Sequence, residues 1–350
     1  MQPARCSMNR LLDRIAGCLV GGLIGDALGG PAEGKHYRLI EQQYGEITDL
    51  LDYGKGPAGT ATDDSALKHM LCEAILRAGG PPAPDHWAEV WRERMQLRMF
   101  YTPVVNAYYK VFVQGVPPRE AGRGNMVSNS SAMCISPIGI IDAGDPAAAV
   151  RDAYYVTQLI HSGFPQDGAC AAAAAVAAAL LPDATAESVV EASWRYLDPS
   201  SEMPRYIQTA VELALTEGDY RRFREAYYRA HLLPWPGNDE ATGRSTAVDP
   251  RESVPVALAL FALARGDAVR TVVYCANFGR DADTIATIGG SIAGALQGRT
   301  AFPERWVHTV EARNQVDQTA LAQQLYDVLL RRIAQQEVRC RALRSMQMAS

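Results

Sequence analysis

Two short stretches of this sequence concentrate oxygen donors: Thr62-Asp63-Asp64-Ser65 and Asp281-Ala282-Asp283-Thr284, the second preceded by Gly279-Arg280. Each stands where a segment of helical periodicity begins. Alone, the first reads as a helix N-cap: Thr62 would accept backbone N–H bonds, and Asp63 and Asp64 would sit at the positive end of the helix dipole. The cap reading is weaker for the second, where two carboxylates and a hydroxyl crowd ahead of an apolar, glycine-rich segment. Such a helix is expected to be buried, and buried carboxylates must be paired or bound to cations. Together the clusters offer four carboxylates and three hydroxyls with no histidine or cysteine close by. Hard oxygen donors of this kind suit Mg²⁺, Mn²⁺ or Ca²⁺ rather than zinc. Two divalent ions would neutralise four carboxylates, and a pair of ions can orient a water and hold substrate hydroxyls.

The elements that must position these clusters read as helices. From Asp64 to Gly79, apolar residues at Leu67, Met70, Leu71, Ala74, Ile75 and Ala78 mark one helical face, and Gly79-Gly80-Pro81-Pro82 stops it. Leu11, Ile15, Leu19 and Leu23 form a similar stripe before Gly25-Asp26. Ala169 to Leu181 is nearly all alanine and predicts a central helix. Val254 to Ala264 and Asp281 to Leu296 are further helices; the second carries Ile285, Ile288, Ile292 and Leu296 in a stripe, with Gly289, Gly290 and Gly294 admitting another backbone. A final helix is expected over about 318–343, basic at its end. Val111 to Val116 is a short candidate for extended chain, and no run alternates convincingly as a strand. Glycine- and proline-rich stretches at 54–59, 79–84, 116–118 and 233–237 read as loops. The expectation is an all-α chain, with residues 1–350 forming one domain around a buried pair or trio of helices.

Bulk properties narrow the function. The chain has 350 residues, 48% hydrophobic and 21% charged, ordinary for a soluble globular protein. A net charge of −5 and a pI of about 5.7 lack the basic footprint of a nucleic-acid binder. Seven cysteines with no C-x-x-C pair argue against a disulfide framework or structural zinc and point to a reducing cytoplasm. The uncharged stretch Ile15 to Gly25 is far shorter than the roughly 20 residues of a membrane span, so no membrane association is expected. The N-terminus shows no signal-peptide pattern.

Several blocks, in order, resemble the ADP-ribosylglycohydrolase family, which includes dinitrogenase reductase-activating glycohydrolase and the ADP-ribosyl-acceptor hydrolases. They are Gly17-Cys-Leu-Val-Gly-Gly-Leu-Ile-Gly-Asp-Ala-Leu-Gly29 with Pro31-Ala-Glu33, Thr62-Asp-Asp-Ser65, Ala132-Met-Cys-Ile-Ser-Pro-Ile-Gly139, His161 ahead of the alanine-rich helix, Glu252-Ser-Val-Pro255, Gly279-Arg-Asp-Ala-Asp-Thr-Ile-Ala286 and Gly294-Ala-Leu-Gln-Gly298. The resemblance runs from Leu11 to Gly298. It implies a compact, orthogonal all-α domain with a core over about 11–300. It implies two Mg²⁺ ions (Mn²⁺ in some members) held by Thr62, Asp63, Asp64, Asp281, Asp283 and Thr284. The implied reaction is hydrolysis of the N- or O-glycosidic bond at C1″ of ADP-ribose attached to arginine, serine or a related acceptor.

Glycoside cleavage usually employs carboxylates, and Glu33 and Asp64 are the candidates for general base. Glu33 follows the first helix in a loop, whereas Asp26 is expected to cap or brace that helix. Ser128-Asn129-Ser130-Ser131-Ala132-Met133 resembles the family's phosphate and ribose loop, though it also reads as a polar turn. His161 resembles a family histidine near the ribose, with a satisfied structural histidine as the alternative. Tyr101, Tyr108, Tyr109 and Phe278 have rings that can stack on a base, with core packing as the default for each. Two departures stand out. Cys134 replaces an arginine frequent after Ala-Met, and Arg280, beside Gly279, replaces a frequent glycine. Arg280 is expected near the metals, where it would contact a phosphate or carboxylate. These departures leave three readings of function: release of ADP-ribose from a modified protein, hydrolysis of a small ribosylated metabolite or nucleoside, and a non-catalytic ADP-ribose-binding relative. The complete ligand set speaks against the last. A monomer or dimer is expected.

Overall fold

The computed structural model describes residues 9–347, so Cys6 and the extreme N-terminus read for a signal peptide lie outside the described residues. The helices run in the order α1 (Arg10–Gly29), α2 (Tyr37–Tyr44), α3 (Asp63–Ala78), α4 (Pro84–Arg94), α5 (Thr102–Phe112), α6 (Ser136–Ile141), α7 (Pro146–Val156) and α8 (Pro165–Ala179). They continue with α9 (Ala186–Arg195), α10 (Met203–Glu217), α11 (Tyr220–Ala230), α12 (Pro250–Leu263), α13 (Ala268–Ala276), α14 (Ala282–Gln297), α15 (Glu304–Asn314) and α16 (Gln318–Gln347). No strand occurs among the described residues; pairing is confined to isolated bridges such as Lys35 with Arg244 and Arg280. Val111–Val116 is not extended: Val113 and Gln114 both donate to the Tyr109 carbonyl as α5 unwinds. The C-terminal helix runs past the expected end near 343, to Gln347.

The centre of the molecule is the pairing of α1 with α14, and glycine makes it possible. A Cβ added at Gly17 would lie 2.3 Å from the Gly294 carbonyl oxygen, at Gly21 2.3 Å from that of Gly290, and at Gly25 2.0 Å from that of Ala286. The steps of four on both helices put these residues on facing ridges, and the helices run antiparallel in backbone contact. Both are buried along nearly their whole length, as is alanine-rich α8, whose small side chains allow it to pack against α6, α7, α9 and α14. The pairing brings the C-terminal end of α1 against the N-terminal end of α14: a Cβ at Gly29 would lie 2.4 Å from the Ala282 carbonyl oxygen. No helix of the described residues is long and apolar enough to cross a membrane.

Candidate active site

The end of the α1–α14 pair is where the two acidic clusters meet. Thr62 caps α3 through its hydroxyl, which accepts from the Asp64 amide. The whole helix start is held by Asp26, near the end of α1. One carboxylate oxygen of Asp26 accepts from the Thr62 amide at 2.8 Å, the other from the Ser65 amide at 3.0 Å. Asp26 therefore braces α3 across the fold, not the first helix as expected from sequence. Asp281 stands at the N-cap of α14, with Asp283 and Thr284 in its first turn.

The two helix starts line a cavity of about 400 Å³. Asp63, Asp64, Asp281, Asp283 and Thr284 face it together with Glu33, Asn129, Ser130 and Met133. Burial is the largest influence on all four aspartates. It pushes Asp63 and Asp281 up to about 7 and holds Asp64 and Asp283 well above the carboxylate range, with neighbouring carboxylates adding to the effect. The Asn129 amide partly offsets this by donating to Asp281. So many carboxylates cannot all ionise in a buried space without compensating cations.

The residues fit such cations. One oxygen of Asp64 and the Ser65 hydroxyl are buried with no hydrogen-bond partner among the described residues. The donors are hard oxygens throughout, the ligand class of Mg²⁺ and Mn²⁺. No three histidine, cysteine, aspartate or glutamate side chains among the described residues draw together tightly enough to cage one ion.

The other expected residues divide by position. Glu33 faces the cavity and forms an ion pair with Lys55 of the 54–59 loop. Ser128, Ser131 and His161 stand behind the wall. The His161 ring nitrogens meet the Ser128 hydroxyl at 3.0 Å and the Ser131 hydroxyl at 2.7 Å, and all three residues are buried. This is a fully satisfied imidazole that shapes the serine loop from within, and burial pushes its pKa down to about 4. Asn129 and Ser130 are the members of that loop, with Met133, that reach the cavity.

Gly279 adopts φ +83° and lies against Lys35 and Tyr228 rather than at the cavity. Arg280 differs from expectation. The residue is 1% exposed, and its guanidinium spans both Glu252 oxygens, the Ser245 hydroxyl and the Leu233 carbonyl. The carboxylate it contacts is internal, and its donors are committed to the protein. Cys134 is also buried, its thiol directed to the Ser130 and Ser131 carbonyls. Neither departure from the family pattern lines this cavity.

Sequence reading missed Lys55, Met99, Phe100, Trp235, Arg244 and Val248, all of which line the cavity. Trp235 and Arg244 belong to the irregular stretch between α11 and α12, which has no periodicity to read. Of the four aromatic candidates, Tyr101 lines the cavity, whereas Phe278 is a core ring among Phe223, Tyr227 and Tyr228. Tyr108 packs on Phe112, and Tyr109 is exposed.

Comparison with known proteins points to one family and fold. The sequence profile of the family described as ADP-ribosylglycohydrolase matches residues 7–335. The chain is 28% identical over 324 residues to an uncharacterized protein of Archaeoglobus fulgidus, covering 91% of this chain and 98% of that one. It is 25% identical to ADP-ribosylhydrolase ARH3 of Gallus gallus, covering 88% and 91%. It is 23% identical to ADP-ribosylarginine hydrolase Tri1 of Pseudomonas putida, covering 93% and 82%. A solved structure described as an ADP-ribosylglycohydrolase-related protein complex superposes with a TM-score of 0.69 at 22% identity, covering 92% of this chain and 100% of that chain.

Proposed function

The chain belongs to the ADP-ribosylglycohydrolase family, and from that premise we propose that it hydrolyses the C1″ glycosidic bond of ADP-ribose carried by a modified acceptor, using two divalent cations, Mg²⁺ or Mn²⁺. The observation that carries the reading is the convergence of four aspartates from two helix starts, Asp64, Asp281 and Asp283 buried and Asp63 half-buried, with a partnerless Asp64 oxygen among them. Thr62, Asp63, Asp64, Asp281, Asp283 and Thr284 would hold the ions. Bound cations would neutralise the carboxylates and bind the ribose hydroxyls.

Glu33 stands on the same cavity wall but outside the buried cluster, on the loop that follows α1. We assign it the general-base role, accepting the proton of the water that attacks C1″, and assign Asp64 to ligation. Asn129 orients Asp281 through its amide. Asn129 itself is fixed by donating its backbone N–H to the Val248 carbonyl and its side-chain amide to Ser253. Asn129 and Ser130 also line the cavity, and we place the substrate diphosphate beside them. The departures that favoured a smaller riboside, Cys134 and Arg280, do not reach the cavity, so they lend that reading no support.

The test is ADP-ribose release from arginine- and serine-linked substrates with Mg²⁺ and with EDTA, read beside the Mg²⁺-induced rise in Tm. Asp283→Asn should abolish both release and the Mg²⁺-induced rise while the fold persists. Release in EDTA equal to that in Mg²⁺, or a fully active Asp283→Asn, overturns the metal assignment. Absence of release from every linkage overturns the substrate.

A further inference from the structure

Behind the acidic cavity lies a charge with no use in the reaction just described. Lys68, one turn along α3 from Asp64, is 1% exposed. Its ammonium lies against α1 at Gly22, where an added Cβ would be 2.1 Å away, and donates one long hydrogen bond of 3.4 Å to the Ser291 hydroxyl of α14. No carboxylate lies within ion-pair distance of it among the described residues. By contrast, the buried guanidiniums of Arg224 and Arg280 each meet a glutamate. The other groups within reach of its field include the buried thiols of Cys18, Cys72 and Cys134, the His69 imidazole and the Asp26 carboxylate. A lone ammonium in such surroundings is costly unless nearby negative charge compensates it.

That compensation is available at long range. Two divalent cations would balance the four aspartates of the cavity and leave Asp26, buried with its oxygens held by the Thr62 and Ser65 amides, without a partner charge. Building on the metal reading above, we propose that Lys68 is a resident counter-cation of the acidic cluster, a positioning residue that partly stands in for metal charge and thereby sets how tightly divalent cations bind. Its charge restrains repulsion among the aspartates before cations arrive and opposes those cations once they are bound. The three helices it touches, α1, α3 and α14, are those that carry Asp26 and both ligand clusters.

The experiment compares the wild-type chain with Lys68→Met and Lys68→Gln, two neutral replacements of different polarity. Mg²⁺ affinity is measured by titration calorimetry, and Tm is measured in EDTA and in saturating Mg²⁺. A unit charge roughly 10 Å from a divalent ion, at screening between that of protein and water, changes binding by about tenfold or more. Both variants should therefore bind Mg²⁺ about tenfold more tightly and show a larger Mg²⁺-induced rise in Tm than wild type. A purely structural lysine would lower Tm equally with and without Mg²⁺. An unchanged or smaller rise in either variant overturns the role of Lys68. Wild-type protein with no Mg²⁺ response would instead overturn the metal reading itself.

Discussion

Replacing Glu252 by alanine should strand the Arg280 guanidinium in the interior. Both partners are buried, and Glu252 accepts from Arg280 Nε at 2.6 Å, from Nη2 at 3.1 Å and from the Leu233 amide at 2.9 Å. Removing one member of a buried pair costs about 3–5 kcal/mol, because the other charge is left uncompensated. Arg280 would keep the Ser245 hydroxyl and the Leu233 carbonyl, which places the loss near the middle of that range. At about 1.4 °C per kcal/mol for a chain of 350 residues, Tm should fall by roughly 5–6 °C. The assay is urea unfolding with a double-mutant cycle over Glu252→Leu, Arg280→Met and the pair. The double variant should regain at least half of the loss, since apolar replacements remove the stranded charge. The pair also anchors the residue before Asp281, so the single variants should bind Mg²⁺ more weakly. A Glu252→Ala protein within 1 kcal/mol of wild type, or a double variant no better than the singles, would refute the reasoning.

Gly25→Ala should prevent close approach of α1 and α14, because the new Cβ would meet the Ala286 backbone at 2.0 Å. A loss of about 3 kcal/mol or failure to fold is expected in thermal unfolding, and a near-wild-type Tm would show that the pairing tolerates separation. Asp26→Asn keeps one acceptor for the two amides of α3 and should weaken Mg²⁺ binding about tenfold or more in calorimetry while the chain remains folded. His161 predicts acid sensitivity. Burial lowers its folded pKa to about 4, against about 6.5 when unfolded, so its contribution is complete above pH 6.5 and is lost as pH falls toward 4. That loss amounts to roughly 2–3 kcal/mol by pH 4.5, and His161→Asn should flatten the corresponding slope of urea stability against pH; an identical slope in the variant would remove His161 from the account.

The helices and the two oxygen-rich clusters at their starts were legible in the sequence, because they rest on local periodicity and capping. The glycines of α14 likewise announced a close backbone approach, although not that α1 would make it. Partner identity depended on the tertiary structure. Asp26 reads locally as belonging to α1, yet it holds α3, 36 residues away. Cys134 and Arg280 looked like changes of substrate until the fold turned both inward, the arginine onto a glutamate 28 residues earlier. Trp235, Arg244 and Lys55 lie in irregular segments whose course is determined by long-range contacts, and Lys68 occupies an ordinary helical position that becomes unusual only between α1 and α14. Short-range chemistry marks which residues can ionise or ligate, whereas burial and opposing charge arise from segments distant in the chain and exist only once those segments have packed.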